Sequence, residues 1–544
     1  MRSTAVRLAL ALSLLPAPTF GQGQQFPSDD PVLRRIWTEG MDSSQTYRLA
    51  QVLLDSLGPR LTGTPEWKAA NDWLVRTYAS WGIPARQEPY GTWKAWRRGV
   101  SHIDLLTPRV RTLEGGLLAW SPGTGGRDVT GPVILLPQVA DSAAFDAWLP
   151  QARGKFVLLS FAEPTCRPDE YFQARAQPQT YLQLQAIRQA AQRAWQARVR
   201  ATGFSTGLGA GTLGERLGRA GAAGVVVTRW SEGWGTREIF GDLRQVVPAV
   251  ELSCEDYGLV FRLAENAQGP SMRVRSDAEM RGDVPAFNTI ATVRGSEKPD
   301  EYVILSAHFD SWDGSSGATD NGTGTLVMLE AMRVLKKVYP NPKRTIIAGH
   351  WSGEEQGLNG SRAWAADNPG IVEGLQALFN QDDGTGRIER IDAGGFLDAG
   401  GALARWLARV PPQLSSRVRL AVPGTPASSG TDNASFICHG APGFGTGASD
   451  WDYNTYTWHT NRDTFDKIVF DDLKNNVTLI AMLAYLASED ADLVARTRRT
   501  FGGGESPEGR GSGPGGTTGG RGGRGITAWP ECTPAIRDPS GYRR

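Results

Sequence analysis

Continuous apolar runs alternate with helical patterns from residue 285 onward. Residues 302–307 form an apolar run that predicts a strand, and residues 322–338 then place leucine and methionine side chains along one face of a predicted helix. Further apolar runs at residues 344–349 and 375–379 predict two more strands. Because continuous apolar strands between helices are typical of a sheet that is covered on both faces, this pattern predicts an α/β fold.

An amphipathic pattern precedes this region near the N-terminus. Residues 44–81 predict two helices on either side of the segment 57–64, whose sequence is Leu-Gly-Pro-Arg-Leu-Thr-Gly-Thr. Ala70, Leu74 and Tyr78 recur at helical spacing, so we expect the second helix to pack on a core.

A β-rich pattern occupies the stretch between these two regions, residues 128–280. Five short apolar runs predict strands at residues 133–136, 156–160, 224–228, 247–252 and 272–275. The runs enclose a predicted helix over residues 181–200. Four apolar positions recur along this helix at helical spacing: Leu184, Ile187, Ala191 and Trp195. We expect that stripe to be packed and the arginines opposite it to face solvent.

Length and charge limit the classes of function. A chain of 544 residues is long enough for two or three domains, and a hydrophobic content of 40% supplies ample material for their cores. The 58 basic and 57 acidic residues nearly cancel. The composition therefore calls for neither nucleic acid nor an anionic membrane surface as a partner.

The N-terminus has the pattern of a secretory signal. Arg2 and Arg7 precede or flank a short apolar core at residues 8–15, and Gly21 supplies a small residue before a cleavage point. The apolar core is too short to span a bilayer as a helix, so we expect no membrane insertion. The pattern predicts a secreted or periplasmic protein.

The cysteines and the C-terminal composition add two further expectations. The chain has four cysteines and no Cys-x-x-Cys pair, which disfavours a thiolate zinc site or a redox motif. In an exported protein, one pair of them could form a disulfide that the sequence does not identify. Residues 501–525 are rich in Gly, Arg, Ser and Pro and predict a flexible tail.

Candidate ligand groups follow the first predicted strand of the α/β region. His308 and Asp310 come at its end, and Asp320 lies in a Gly-rich turn directly before the next predicted helix. Binding groups of such sheets gather at the carboxyl ends of strands. A neutral histidine is a good zinc ligand, a nearby carboxylate can orient its ring, and a carboxylate can bridge two metals. An aspartate before a helix is also an ordinary N-cap, so Asp320 alone proves little.

Glu354 and Glu355 follow the strand predicted at residues 344–349, in a turn that is flanked by glycines. Two adjacent acids on a tight loop point in different directions. One of them can therefore bind a metal while the other accepts a proton from water. An isolated Glu-Glu pair also occurs in solvated turns and in the first turn of helices.

Two more clusters lie downstream. Asp382 and Asp383 follow the strand predicted at residues 375–379, and His459 lies four residues before Asp463. The chain has only five histidines, so two histidines beside acids are informative. Five groups of metal-ligand type after successive strands are not expected by chance, and jointly they predict a metal centre.

Three other features are expected to be structural. Residues 209–214 match the glycine spacing of a dinucleotide-binding loop, but they follow a predicted helix rather than a strand. His350 interrupts an apolar strand and is expected to be a packed core histidine. His439 is expected to be structural for the same reason.

Taken together, the clusters resemble the co-catalytic zinc exopeptidase family of the aminopeptidase Y and plasma glutamate carboxypeptidase type. The resemblance covers most of the chain. The motifs that carry it are Ala-His-Phe-Asp-Ser-Trp at 307–312, Gly-Ala-Thr-Asp-Asn-Gly at 317–322, Trp-Ser-Gly-Glu-Glu-Gln-Gly at 351–357, Asn-Gln-Asp-Asp-Gly-Thr-Gly at 380–386 and His-Thr-Asn-Arg-Asp-Thr at 459–464. The resemblance implies a mixed, mostly parallel sheet that is sandwiched by helices.

The same resemblance implies a centre of two Zn²⁺ ions. His308 and Asp382 would hold one ion. Glu355 and His459 would hold the other, and Asp320 would bridge the two.

The resemblance also implies roles for the neighbouring acids. Glu354 would be the general base, and Asp310 would support His308 from behind. Asp382 rather than Asp383 is the expected ligand, because the family's aspartate is followed one residue later by Gly-Thr.

The resemblance divides the chain into five parts. These are a signal peptide (1–21), the N-terminal part of the peptidase domain (28–124), a β-rich protease-associated domain insert (125–283), the main zinc peptidase domain (284–498) and a Gly/Arg-rich flexible tail (499–544).

The implied function is a zinc metallo-exopeptidase that acts on dipeptides or short peptides as a dipeptidase or carboxypeptidase. Relatives of the carboxypeptidase type are often dimers, so a homodimer is in keeping with the resemblance. An aminopeptidase of the same family stays open, because Asp450 in the loop before His459 would suit a terminal amine. Tyr453 and Tyr456 of that loop would also line the substrate pocket.

Two other classes remain as alternatives. A glutaminyl-cyclase-like transferase shares the implied fold but works with one zinc, and the β-rich insert argues against it. A non-catalytic binding protein on the same scaffold is disfavoured because every ligand type and Glu354 are present.

Overall fold

The computed structural model describes residues 29–427, 429–501 and 528–542. The predicted signal peptide lies outside these residues and stays a prediction. The strands are β1 (Ala85–Thr107), β2 (Arg111–Thr112), β3 (Gly115–Leu117), β4 (Val129–Leu135), β5 (Phe156–Leu158), β6 (Gly224–Val227), β7 (Ala249–Leu252), β8 (Ser271–Val293), β9 (Lys298–His308), β10 (Arg344–Trp351), β11 (Leu375–Asn380), β12 (Ile388–Asp392), β13 (Arg419–Ala421) and β14 (Gly443–Ala448).

The α-helices of the described residues cover both faces of these strands. They are α1 (Pro31–Trp37), α2 (Thr46–Ala50), α3 (Pro65–Ser80), α4 (Ser142–Trp148), α5 (Asp169–Arg175), α6 (Pro178–Ala201), α7 (Gly211–Arg219), α8 (Cys254–Glu265), α9 (Thr323–Val338), α10 (Asn359–Asp367), α11 (Pro369–Glu373), α12 (Ala399–Leu407), α13 (Pro412–Ser415), α14 (Ala434–Ile437) and α15 (Phe470–Glu489).

The larger part of the sheet has the strand order β13-β12-β14-β11-β9-β10-β8. Strand β9 pairs in parallel with β10 on one side and β11 on the other, and β11 pairs in parallel with β14. The pairs β8–β10 and β12–β14 are antiparallel. The prediction of a mixed, mostly parallel sheet is therefore confirmed.

Both faces of this part are buried under helices. Val303 and Leu305 of β9 point to one face and belong to a core that α9 and α15 complete. Ile304 points to the opposite face, where Trp364 of α10 and Phe436 of α14 lie. Because neighbouring residues of a strand alternate between faces, a continuous apolar run is what a doubly covered strand requires.

The long antiparallel pair β1–β8 carries the sheet into a smaller β-rich region. Strand β8 pairs with β10 at one end and with β4 at the other, and the order continues β4-β5-β6-β7-β3. Two apolar clusters cover the faces of these strands. We call this region the insert.

The β-rich region includes residues that precede the boundary predicted at residue 125. Ile103 and Leu105 of β1, together with Leu117 of β3, are buried in the same cluster as Val250 of β7. Strand β3 also pairs with β7. The insert therefore begins within β1, because that strand is long enough to serve both parts of the sheet.

Helix α6 is in the predicted place, and Leu184, Ala191 and Trp195 lie on its packed face as expected, but Ile187 does not. Trp195 is buried, whereas Ile187 is 57% exposed. Arg188 instead faces inward and forms ion pairs with Glu163 at 2.9 Å and Asp169 at 3.0 Å. The stripe is therefore wrong at Ile187 alone, and Arg188 departs from the predicted solvent-facing arginines because the surface beneath α6 offers it two carboxylates.

The disulfides exceed the predicted single pair. Cys166 bonds to Cys254, and Cys438 bonds to Cys532. The second bond anchors residues 528–542, and Trp529 packs against Phe396 with ring centroids 5.2 Å apart. The prediction of a flexible tail over residues 499–544 is therefore wrong for residues 528–542. That segment carries a cysteine and a tryptophan, which give it the means to pack.

Within the described chain, no helix combines the length and apolar content that crossing a bilayer requires.

Candidate metal centre

The centre lies at the carboxyl edge of the three central parallel strands. His308 is the last residue of β9. Glu354 and Glu355 follow β10, and Asp382 follows β11. Because β10 and β11 flank β9 in parallel, their carboxyl ends bring these side chains to one edge of the sheet.

His308 faces three carboxylates through one ring nitrogen. Its Nε2 lies 3.1 Å from Asp382 Oδ1 and 3.2 Å from Asp320 Oδ1. Glu354 Oε2 lies 4.0 Å from the same nitrogen. His308 is 1% exposed, so these groups meet away from solvent.

His459 faces a second pair of carboxylates in the same manner. Its Nε2 lies 3.0 Å from Glu355 Oε2 and 3.0 Å from Asp320 Oδ2. The two oxygens of Asp320 therefore point to two different histidines. The structure thus brings together all five predicted ligands, with Asp320 between the two sides.

The donor set fits zinc. Two ligands of one tetrahedral zinc ion lie about 3.3 Å apart, given metal–ligand bonds of about 2.0–2.1 Å. The nitrogen–oxygen distances of 3.0–3.2 Å on the two sides are close to that separation. His308, Asp320 and Glu355 also have ligand atoms that all lie within 4.8 Å of one another. A carboxylate with one oxygen on each side suits two ions rather than one.

The histidines are strongly biased toward their charged form by the carboxylates. Burial lowers the pKa of His308, but Asp382, Glu354 and Asp320 raise it more, so it lies well above its ordinary value. Burial likewise lowers the pKa of His459, and the carboxylates around it raise the pKa well above the ordinary value. An excess of negative charge at this edge is what a dication would neutralise.

The acids divide into one carboxylate that stays ionised and two that hold protons more readily. Burial raises the pKa of Asp320, but the two histidines lower it further, to well below its ordinary value. Burial raises the pKa of Glu355 to about 7 and that of Glu354 well above its ordinary range. Both glutamates therefore hold a proton more readily than an exposed carboxylate does.

Asp310 supports the centre by a route that differs from the predicted one. The His308 Nδ1 atom lies 3.0 Å from the backbone oxygen of Asp310, whereas the Asp310 carboxylate is 3.8 Å away. That carboxylate instead accepts hydrogen bonds from Thr62 Oγ1 and from the backbone N–H of Glu354, each at 3.2 Å. Asp310 therefore orients the His308 ring with its backbone and the Glu354 turn with its side chain.

Asp382 and Asp383 differ in their contacts with the centre. Asp382 reaches His308, as described above. Burial raises the pKa of Asp383 to about 8, and the neighbouring Asp382 charge adds to this effect. An aspartate that favours its neutral form is the poorer metal ligand of the two.

The three predicted substrate residues lie in different environments. Asp450 is exposed, and its Oδ1 accepts a hydrogen bond from the Tyr453 backbone N–H at 2.7 Å. Burial raises the pKa of Tyr453 well above its ordinary value, as do the charges of Asp320 and Asp382. The Tyr453 ring lies against the loop after β11 that carries Asp382, since a Cβ atom at Gly384 would lie 2.9 Å from it. Tyr456 packs against Gly233 of the insert. Tyr453 is therefore the member of this group that lies at the centre.

Two residues that shape the centre have no role predicted from the sequence. Arg60 is fully buried and donates hydrogen bonds to the backbone oxygens of Phe309 and Gly317. Asp463 accepts hydrogen bonds from the backbone N–H of Asp320 at 3.0 Å and that of Thr319 at 2.7 Å. Asp463 lies in the motif at 459–464 and Arg60 in the segment 57–64, but their partners are distant in the chain.

A loop of the insert, residues 229–241, contacts the segment that carries His459. The backbone N–H of Ile239 donates to the His459 oxygen at 2.7 Å, and that of Arg237 donates to Asn461 Oδ1 at 2.8 Å. The ring of Phe240 meets the His459 ring edge to face with centroids 5.1 Å apart. The insert loop therefore forms one wall around this histidine.

His350 and residues 209–214 have the structural settings that were expected, whereas His439 is not packed. His350 is fully buried and its Nε2 lies 2.7 Å from the Tyr78 hydroxyl. Burial lowers the pKa of His350 to about 3. His439 is exposed rather than packed, although the four residues of α14 that precede it are buried. Residues 209–214 lead into α7 from α6 and not from a strand.

The chain resembles peptidases both in sequence and in structure. Residues 288–484 match the model of Peptidase family M28. Carboxypeptidase Q of Bos taurus is 24% identical over 467 residues, which cover 84% of this chain and 88% of that protein. A peptidase M28 precursor from Shewanella amazonensis SB2B has a similar structure, with a TM-score of 0.61, 23% identity, and coverage of 85% of this chain and 97% of that one. A zinc aminopeptidase from Bacillus subtilis matches with a TM-score of 0.53, 18% identity, and coverage of 83% and 97%.

Proposed function

Because residues 288–484 belong to peptidase family M28, we propose that this chain is a zinc-dependent exopeptidase that hydrolyses dipeptides or short peptides. The observation that carries the proposal is the position of Asp320. Its Oδ1 lies 3.2 Å from His308 Nε2 and its Oδ2 lies 3.0 Å from His459 Nε2. One carboxylate shared between two histidine sides is the arrangement that a pair of metal ions requires.

Two zinc ions would be held by the five ligands in two sets. His308 and Asp382 would bind one ion, Glu355 and His459 would bind the other, and Asp320 would bind both. When bound, such ions supply Lewis-acid activation of water and polarisation of a peptide carbonyl.

Glu354 would move the proton during hydrolysis. It lies on the turn between the two sides, and the hydrogen bond from its backbone N–H to Asp310 fixes that turn. A carboxylate whose pKa is raised by burial accepts a proton from the attacking water and returns it to the leaving amine. The same turn carries Glu355, so the base and one ligand are positioned by a single structural element.

We place a dipeptidase or carboxypeptidase first among the family's specificities. Carboxypeptidase Q of Bos taurus aligns along most of both chains, including the insert region. An aminopeptidase is the second candidate, since the exposed Asp450 in the loop before His459 would suit a terminal amine.

Three further parts of the proposal concern the rest of the chain. The signal-like N-terminus supports a secreted or periplasmic location, and two disulfides are in keeping with an oxidising compartment. The insert would be a protease-associated domain. A homodimer would resemble relatives of the carboxypeptidase type.

A panel of substrates tests the function and the specificity together. Purified protein, loaded with zinc, is assayed on free dipeptides, N-blocked dipeptides and aminoacyl chromogenic amides, with and without a chelator. Chelator-sensitive cleavage of N-blocked dipeptides is expected for a carboxypeptidase, and cleavage of amides alone would indicate an aminopeptidase. Absence of hydrolysis across the whole panel, with zinc bound, would overturn the peptidase proposal.

A further inference from the structure

We propose that Arg60 is a positioning residue that sets the spacing between the two chain segments carrying His308 and Asp320, and thereby the affinity of the centre for zinc. The inference rests on the proposed zinc function. The Arg60 side chain donates its hydrogen bonds to backbone oxygens and not to the side chain of a proposed metal ligand.

The guanidinium group of Arg60 joins the two segments directly. Its Nε donates to the backbone oxygen of Phe309 at 2.7 Å. Its Nη1 donates to the Ser316 oxygen at 2.7 Å, and its Nη2 donates to the Gly317 oxygen at 2.9 Å. Phe309 follows His308, and Gly317 lies three residues before Asp320. One planar group thus spans both arms of the loop that bears the first ligand and the bridging ligand.

The backbone of the loop is shaped to meet this group. Gly317 has a φ of 58°, and a Cβ atom at this position would lie 2.4 Å from Ser311 Cβ. The loop therefore closes tightly on itself only because residue 317 is glycine. Ser311 Oγ in turn accepts a hydrogen bond from the Arg60 backbone N–H at 3.0 Å. The side chain and backbone of Arg60 both bind the closed form of the loop.

Charge gives Arg60 a second effect on the same ligands. A buried cation is costly unless nearby groups compensate it. Burial lowers the pKa of Arg60 to about 10, and the charges of Asp463, Asp310 and Asp320 offset part of that effect. Arg60 is therefore positively charged at neutral pH.

The proposed spacing role requires an arginine at position 60, and another cation would not fulfil it. The guanidinium is a rigid fork with five donors, whereas lysine offers one flexible ammonium. A lysine at position 60 would keep the charge, but it would not span Phe309 and Gly317 at once. Arg60→Lys therefore separates the spacing effect from the charge effect.

Arg344 offers a matched control. It is also fully buried, and it donates to the backbone oxygens of Ala487 at 3.2 Å and Ser488 at 2.9 Å and to Glu301 Oε2 at 2.6 Å. It begins β10, at the strand end opposite the carboxyl edge. Arg344→Lys removes a comparable buried fork that has no link to the centre.

The decisive experiment measures zinc affinity by chelator competition in the full-length wild type, Arg60→Lys and Arg344→Lys, with urea unfolding of each metal-free protein. We expect both variants to lose stability. Arg60→Lys alone should bind zinc about 10- to 100-fold more weakly, as is typical when support of a ligand is removed. The absorption spectrum of the cobalt-substituted protein should also change in Arg60→Lys alone.

Equal zinc affinity of Arg60→Lys and wild type would overturn the inference and leave the proposed function intact. Failure of the wild type to bind zinc would instead overturn the proposed function. If Arg60→Lys does not fold, Ser311→Ala removes one acceptor of Arg60 with a smaller change. Weaker zinc binding by Ser311→Ala would support the inference, and unchanged binding would count against it.

Discussion

The two histidines of the centre are held in contrasting ways. His308 is the last residue of a central strand and is 1% exposed, whereas His459 lies on a loop, and its side chain is 14% exposed. His308 sits where the register of the parallel sheet places it. His459 has a φ of 54°, in the left-handed region that non-glycine residues rarely adopt, so its surroundings must hold it there.

The surroundings of His459 come from two distant parts of the chain. Trp458 stacks on its ring with centroids 3.9 Å apart, and Phe240 and Ile239 of the insert loop contact the ring and the backbone. The His308 side depends on strands and on Thr62 and Asp310 behind them. The difference teaches that half of the centre is built into the sheet, while the other half is completed by contact with the insert.

The largest effect on turnover is expected from a change at Glu354, which lies on the turn between the His308 and His459 sides. Glu354→Gln should lower turnover by about a thousandfold, because the amide cannot accept the proton from water. Both ligand sets remain intact, so zinc content by mass spectrometry under native conditions should match the wild type. Normal turnover with full zinc would remove Glu354 from its role.

A change at Asp382 should disturb the His308 side of the centre alone. Asp382→Asn removes the carboxylate 3.1 Å from His308 Nε2 and should weaken one zinc site by about a hundredfold. Asp383→Asn is the control, because Asp383 does not belong to either ligand set and favours its neutral form. Isothermal titration of the metal-free variants with zinc separates the two outcomes. Weak zinc binding by Asp383→Asn with normal binding by Asp382→Asn would reverse the assignment.

The sheet side of the comparison was largely predictable from the sequence. The runs at residues 302–307, 344–349 and 375–379 are apolar on both faces, so their identity as buried strands and the gathering of groups after them follow from local pattern and sheet geometry. His459 follows no such strand directly. Its place among the ligands came from the resemblance of its motif, not from periodicity.

Other features depend on contacts that no local pattern contains. The insert loop meets His459 across more than 200 positions of sequence, and Arg60 reaches Gly317 across 257. The apolar pattern of α6 did not predict that Arg188 faces inward, because the carboxylates of Glu163 and Asp169 that it contacts are distant in the chain. Residues 528–542 pack because Cys532 bonds to Cys438, a pairing that the sequence does not specify.

A change at Asn461 should disturb the His459 side of the centre, because Asn461 contacts the loop of the insert. Asn461 accepts a hydrogen bond from the Arg237 backbone N–H at 2.8 Å and donates to the Gly235 oxygen at 3.3 Å. Asn461→Ala should loosen the loop that carries His459 and weaken zinc binding at that side by about tenfold. Thr62→Val is the matched variant for the His308 side, since it removes the hydrogen bond to Asp310.

Cobalt titration followed by visible absorption distinguishes the two variants, because each should alter a different step of a two-step binding curve. If both variants alter the same step, the division of the centre into two independently supported sides is wrong.

The smallest effect is expected at His350, a third buried histidine that serves as a reference for the two histidines of the centre. His350 lies beside Tyr78 with no carboxylate to offset its burial, and its pKa falls from 6.5 to about 3. The folded protein keeps His350 neutral, while the unfolded chain gains a proton below about pH 6.5. Stability from this residue is therefore present above that pH and is lost as the pH falls toward about 3.

Between about pH 6.5 and about pH 5.5 the loss should be about 1 kcal/mol, read as the difference between the metal-free wild type and His350→Gln in urea unfolding at both pH values. The sign is opposite to that of His308, whose pKa is raised by carboxylates. Burial alone thus makes a histidine that resists a proton, and the acids of the centre reverse this preference. Equal pH dependence in the variant and the wild type would show that His350 titrates in the folded protein as it does in the unfolded chain, and that burial is not the cause of the contrast.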